Sequence, residues 1–362
     1  MKKLMFVAAM AALCMACQQQ VEEKTASQQL LERLTTIQKQ GYMFGHQDDT
    51  FYGLTWEYVP DSSDILATVG DYPAVMGFDL GGIEMGDAKN LDSVPFTRIR
   101  EELVKHHLRG GIVTISWHPR NPVTGGTAWD VEDTLVVHKI LTEDSVKAKF
   151  NTWMTRVGDF IETLRTDDGK PVPIIFRPWH EYNGSWFWWG QKLCSDEDYL
   201  ALWNLLQDTL NQRGFDNLLW SFSPNLDGGW TEERFLKRYP GNDRVALIGE
   251  DAYQWGTEED FVKQATADLD FLKSFAEKNG KPIAVTECGY KNIPDSTWWT
   301  RVLQPVLDRY PICYFHTWRN YKEEFFAPDP NQQSAEDFKK LYAAPNTLFL
   351  NDIKDINIKD IK

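Results

Sequence analysis

Two glutamates carry the chemistry this chain is best equipped for. Glu181 lies in Arg177-Pro-Trp-His-Glu-Tyr-Asn-Gly-Ser-Trp-Phe-Trp-Trp-Gly190, just after the apolar run Val172-Pro-Ile-Ile-Phe176, and Glu287 ends the run that starts at Pro282. Such runs read as short, fully buried strands. Each carboxyl is therefore delivered to a strand end rather than to a core. Beside Glu181 stand Arg177, His180 and four tryptophans. Aromatic faces stack on the C–H faces of sugars, and a carboxyl next to an imidazole can do proton chemistry. A carboxyl pair flanking a tryptophan-lined cleft suits glycosidic hydrolysis. One group protonates the leaving oxygen, and the other attacks C1 or activates water.

Rival chemistries find less support. His180-Glu181 lacks the second histidine of an HExxH zinc site, and no GxSxG serine elbow occurs. His46, Asp48 and Asp49 can be drawn as metal ligands, but a carboxyl-pair mechanism needs no metal and no organic cofactor.

Both glutamates need a frame that brings distant strand ends together. Eight strand-like runs follow one another: 42–46, 73–80, 111–118, 173–177, 218–223, 245–252, 282–287 and 312–318. Helical patterns lie between most of them, at 96–108, 146–164, 196–210, 231–238, 258–278 and 298–308, and another at 29–39 precedes the first. Buried strands alternating with helices argue for parallel pairing. Eight units over one chain of 362 residues fit a single (β/α)₈ TIM barrel. The doubly wound rival lacks a GxGxxG after the first strand. Four of the seven histidines, with several tryptophans, sit at strand ends. In a (β/α)₈ barrel those ends form one face, where the chemistry sits, and the fourth and seventh strands face each other across its mouth.

The composition contains 15 tryptophans, an excess that sugar platforms would explain. A net charge of −15 argues against nucleic acid and anionic membrane surfaces as partners, and is indifferent to a neutral polysaccharide. Cys194, Cys288 and Cys313 show no paired spacing and read as free thiols.

The motifs Gly45-His-Gln47, Ser116-Trp-His118, Arg177-Pro-Trp-His-Glu-Tyr-Asn-Gly184 with Trp186, and Thr286-Glu287 before Gly289 resemble glycoside hydrolase family 26. Most members of that family are β-1,4-mannanases of the retaining (β/α)₈ clan. The resemblance runs from about Leu30 to Ala344. It implies Glu181 as acid/base and Glu287 as nucleophile. By the same resemblance His180 binds substrate and orients the acid/base, His118 lines the −1 region, and Tyr253 hydrogen-bonds the nucleophile. Trp318 would floor the −1 sugar, and Trp186 would form a platform on the leaving-group side. Asp49 and Arg319 are candidates for distal-subsite contacts, against a loop ion pair. The implied function is a retaining endo-β-1,4-mannanase acting on mannan, glucomannan or galactomannan. Alternatives are an exo-type, mannobiose-releasing enzyme, a xylanase or lichenase of the same family, and a non-catalytic polysaccharide-binding lipoprotein. The long segments 119–145 and 321–337 are expected as rim loops that wall off distal subsites or pad the rim.

The first residues read as a targeting segment. Lys2 and Lys3, an apolar stretch Leu4 to Leu13, and Ala16 precede Cys17. Leu13-Cys-Met-Ala-Cys17 resembles a bacterial lipobox, with Cys14 where Leu is usual. The expected organisation is a lipoprotein signal peptide at 1–16, a polar tether at 17–29 starting from an acylated Cys17, the catalytic barrel at 30–350, and a biased tail at 351–362. The expectation is therefore a monomer in the cell envelope, on the outer membrane or a periplasmic face, touching the membrane only through its lipid.

Overall fold

The computed structural model describes residues 24–356. The expected signal peptide, Cys17 and most of the expected tether lie outside the described residues, as does the tail from 357 on. Eight parallel strands are observed: β1 (Tyr42–Gln47), β2 (Val75–Asp79), β3 (Ile112–Ser116), β4 (Ile174–Arg177), β5 (Leu218–Phe222), β6 (Leu247–Tyr253), β7 (Ile283–Gly289) and β8 (Ile312–Thr317). Each pairs with the next, and β1 pairs with both β2 and β8, so the sheet closes into a barrel. The expected fold is the observed one. A ninth, two-residue strand, β9 (Thr347–Leu348), adds to β1 and was not anticipated.

The strands are buried along their whole length, which is why they are runs of Val, Ile, Leu and Phe rather than alternating patterns. A small apolar cluster takes one residue or more from every barrel strand, among them Met43, Val75, Ile112, Ile175, Leu219, Leu247, Ala284 and Tyr314. Leu30, Leu34 and Ile37 of the first helix complete it. It is the barrel floor, closed by that helix. A larger cluster fills the layer between the strands and the surrounding helices.

Several boundaries differ from expectation. The first helix spans Ala26–Ile37, so residues 26–29, expected as tether, form its first turn. Thr25 and Gln28 make a capping box there, which satisfies two of the helix's orphan amides. The segment 119–145 is not all loop: it carries a helix at Val136–Thr142 and the start of another, Asp144–Glu162. The segment after β8 runs into a helix at Ala335–Tyr342. No described helix is long and apolar enough to cross a membrane. Cys194, Cys288 and Cys313 are free, as expected.

Register matters most between β6 and β7. Glu250 pairs with Val285, but Asp251 pairs with Glu287, so Thr286 is an extra residue on β7. Such a bulge bends the strand and re-aims the side chains beyond it. It sets Asp251 and Glu287 side by side at the barrel mouth.

Candidate active site

Glu181 stands four residues beyond the β4 end on a backbone that few L-residues adopt. Trp179 and Glu181 both have φ of 53°. Left-handed backbone at non-glycine residues costs about 1–3 kcal/mol apiece and persists only where surroundings enforce it. Here the Glu181 amide donates to the Ser223 carbonyl at 2.9 Å. Asn183 donates to the Asn225 carbonyl and accepts from its amide, each at 2.8 Å, tying the loops after β4 and β5 together. The side chain is held as well: the Trp186 indole N–H donates to Glu181 Oε2 at 2.7 Å. Burial pushes the Glu181 pKa well above the usual carboxyl range, and the Asp251 and Glu287 carboxylates push it further. Such a group keeps its proton for delivery.

Glu287 has the opposite company. Arg177 Nη2 donates to its Oε2, and the Tyr253 hydroxyl donates to its Oε1 at 2.5 Å. Burial, then Glu287 itself, raise the Tyr253 pKa, so the phenol retains the proton it donates. Arg177 also meets Asp251 Oδ2 at 2.6 Å, and Thr286 donates to Asp251 Oδ1 at 2.7 Å. One carboxyl is thus kept neutral by burial and the other is addressed by a cation and a phenol.

Both glutamates line one cavity of about 510 Å³ at the C-terminal mouth. His118, His180, Trp186, Tyr253 and Trp318 line it too, so the structure brings together seven of the site residues expected from sequence. His118 faces His180 with their Nε2 atoms 3.0 Å apart. Burial, then the Arg177 charge, hold the His180 pKa well below its ordinary value. The cavity wall also contains Trp129, Trp255, Phe187 and Phe326, which the sequence reading had not singled out.

Two candidates fall elsewhere. Asp49 is buried against His46, with Nδ1 to Oδ1 at 2.7 Å, and does not reach the cavity wall. The left-handed backbone at Asp48 folds it back. Arg319 lies with Nε 2.8 Å from Asp92 and its guanidinium over the Tyr321 ring, also off the cavity. A loop ion pair is what the structure contains at Arg319. The metal reading of His46, Asp48 and Asp49 is not supported either, because these three do not bring their ligand atoms together as a metal site requires. Among the described residues, His180, Asp251 and Glu287 come close enough to suggest a metal site. The Arg177 guanidinium bonded to both carboxylates already supplies the countercharge there.

The tryptophan excess needs correction too. Trp117, Trp179, Trp188, Trp189, Trp203, Trp298 and Trp299 are fully buried. Only Trp129, Trp186, Trp255 and Trp318 line the cavity, so most of the excess is core packing. Trp179 packs against Trp117, Trp188 and Trp189, a scaffold beneath the Glu181 turn. Asp79 and Asp251 were missed for a different reason. Asp79 ends β2, where a polar residue after an apolar run was signal enough, while Asp251 lies inside β6, two residues before the more conspicuous Tyr253.

Comparison with known proteins agrees with this geometry. The sequence model described as Glycosyl hydrolase family 26 matches residues 19–352. The chain is 42% identical to a GH26 beta-mannanase from Bacteroides ovatus of known structure, with a TM-score of 0.90, covering 94% of this chain and 98% of that one. It is 31% identical to a modular endo-beta-1,4-mannanase from Cellulomonas fimi, with a TM-score of 0.81 and coverage of 91% and 76%. Among curated relatives, a mannan endo-1,4-beta-mannosidase from Bifidobacterium adolescentis is 29% identical over 81% of this chain. The match spans only 31% of that relative's length. One from Bacillus subtilis is 28% identical over 77% of this chain and 74% of its own length.

Proposed function

The chain belongs to glycosyl hydrolase family 26, and from that premise we propose that it is a retaining endo-β-1,4-mannanase cleaving mannan, glucomannan or galactomannan by double displacement. The observation that carries this reading is the division of labour between two glutamates on one cavity wall. Glu181, kept protonated by burial, donates to the leaving oxygen while Glu287 attacks C1. The glycosyl-enzyme then lacks the Glu287 charge that raised the Glu181 pKa, so Glu181 gives up its proton more readily and serves as base toward water. Trp129, Trp186, Trp255 and Trp318 supply sugar-stacking faces, and nothing on the wall forms a basic cluster that would select an acidic glycan.

The test is reducing-sugar release from β-mannan, xylan and lichenan, with Glu181→Ala and Glu287→Ala alongside. Fastest release from mannan is expected, accompanied by an early fall in viscosity from internal cuts. Equal or faster release from xylan or lichenan would overturn the substrate. Mannobiose appearing without a viscosity drop would replace endo by exo action. Cys17 is proposed as the acylated first mature residue, on the basic, apolar and small-residue order that leads to it. Labelled palmitate should enter the full chain and not Cys17→Ala; incorporation into both rejects the anchor and the envelope location with it.

A further inference from the structure

The double displacement leaves unused a chain of three buried side chains that runs from the end of β2 to the cavity wall. Asp79 ends β2 and is wholly buried. Its Oδ1 accepts from the Gly81 amide at 2.6 Å. Its Oδ2 accepts from the Ser116 hydroxyl at 2.6 Å and lies 2.6 Å from His118 Nδ1. Beyond His118 the contact continues through the two Nε2 atoms, 3.0 Å apart, to His180. Nitrogens at that distance hold one proton between them, because two N–H groups or two lone pairs would repel.

We propose that Asp79 is a positioning residue of the reaction, which fixes the tautomer of His118 and, through it, the direction of the hydrogen bond between His118 and His180. The proposal rests on the glycosidase reading, since the two imidazoles act as walls of that cavity. A carboxylate only accepts, so His118 Nδ1 carries a proton whatever its charge. Neutral His118 then presents a lone pair at Nε2, and His180 donates into it. A second proton on His118 reverses that bond.

The groups facing His118 are Asp79 from β2, Asp92 from the loop after it, Arg177 and His180 from β4 and its loop, and Glu287 from β7. Trp129 stacks on its ring at 5.3 Å and 12°. Burial opposes its charged form, but Asp79 outweighs burial and Glu287 adds to it, so the His118 pKa is raised.

The Gly81 donor is closely packed. A Cβ built on Gly81 would come within 2.3 Å of the Leu91 side chain and 2.7 Å of the His118 carbonyl oxygen, so its backbone sits tight against both. That makes Asp79→Asn a directed test. The new amide oxygen must stay on the Gly81 N–H, which turns its NH₂ toward Ser116 and His118. An NH₂ donates, so His118 has to surrender the Nδ1 proton and become the Nε2–H tautomer. It then donates to His180, and the chain runs backwards in a nearly unchanged shape.

The experiment is two-bond ¹⁵N–¹H NMR on histidine-labelled protein at a pH above the His118 titration, with peaks assigned by their loss in His118→Gln. Wild type should show His118 as Nδ1–H, and Asp79→Asn as Nε2–H with a lower titration point. The same variant should lose kcat/KM on β-mannan by on the order of 10²-fold. Ser116→Ala, which leaves the Asp79–His118 contact in place, should stay within about threefold. A wild-type His118 found as Nε2–H overturns the proposal without any variant. So does a tautomer flip with no loss of rate, or an equal loss in Ser116→Ala. A wild type inert on every β-glycan would instead fail the functional reading, a case told apart by the tautomer result, which needs no substrate.

Discussion

The barrel mouth holds two arginine-centred clusters built from the same parts. In one, Arg177 bonds Asp251 and Glu287, and Tyr253 donates to Glu287 at 2.5 Å. In the other, Arg319 pairs with Asp92 beside Asp48, and Tyr52 donates to Asp48 at 2.5 Å. Each has an arginine, two carboxyls and a tyrosine. They differ in what lies beyond. Glu287 opens on a cavity with a second, protonated carboxyl on its wall, whereas Asp48, Asp92 and Arg319 line no part of that cavity. Burial and the neighbouring Asp92 push the Asp48 pKa well up, but the group it meets there is the Tyr52 hydroxyl, which donates to it. Residue types and strain alone, then, do not make a site. Access and a second carboxyl on the same cavity do.

The largest effect should separate the clusters outright. Glu287→Ala removes the proposed nucleophile and should cut turnover on every substrate by about 10⁴-fold or more. Asp48→Asn, an equally buried change in the twin cluster, should leave kcat/KM within about threefold, since it touches no reacting atom. A comparable loss from Asp48→Asn would break the comparison. Glu181→Ala comes next, with about 10²–10⁴-fold loss on mannan. On a dinitrophenyl mannoside, whose leaving group needs no proton, the glycosyl-enzyme should still form and persist. Azide should then speed turnover and yield a β-glycosyl azide. An α-azide, or equal losses on activated and natural substrates, would reverse or void the two roles. The retaining outcome also requires the carboxyls to stand about 5–5.5 Å apart in the working complex.

Much of this was legible because parallel barrel strands are buried on both faces. An apolar run ending in His, Glu or Arg then marks the rim, which is how Glu181 and Glu287 were found, while His118 and Tyr253 took their roles from the family resemblance. Asp79 ends a run too, but Asp-Leu-Gly-Gly carries no aromatic or histidine to draw the eye. The β7 bulge at Thr286 was invisible because it exists only in the pairing of two strands. Asp49 misled because a sequence offset does not show that a left-handed residue before it turns the side chain toward His46. The tryptophan count misled because indoles bury as well as they stack, and most of these are buried.

Smaller effects sharpen the contrast between the two tyrosines. Tyr253→Phe removes one of two donors to Glu287 and should lower kcat/KM by about 10²-fold, with little change in thermal midpoint. Tyr52→Phe leaves Asp48 Oδ2 without its donor and should cost about 1 kcal/mol of stability while kcat/KM stays put. Activity and melting curves on both variants decide it. Swapped outcomes would mean that the cavity is not where the reaction runs.

The smallest effect lies in the pH profile, and its sign follows from one hydrogen bond. Glu181 must be protonated to act as acid, so kcat/KM should fall as pH rises through its raised pKa. Burial and the carboxylates raise that pKa, while the Trp186 indole N–H, by donating to the charged form, holds it down. Trp186→Phe removes the donor and keeps an aromatic face, so the alkaline limb should move to higher pH even as KM increases from poorer stacking. A shift to lower pH would contradict the contact. The same raised pKa makes a stability statement. Below its unfolded value Glu181 is protonated in both states; between the unfolded and folded values only the folded chain holds the proton, and stability drains away as pH climbs. Glu181→Gln binds no such proton, so its melting temperature relative to wild type should rise steadily across that window and level off above the folded pKa. A difference that stays flat with pH would mean that Glu181 is not the group setting the alkaline limb.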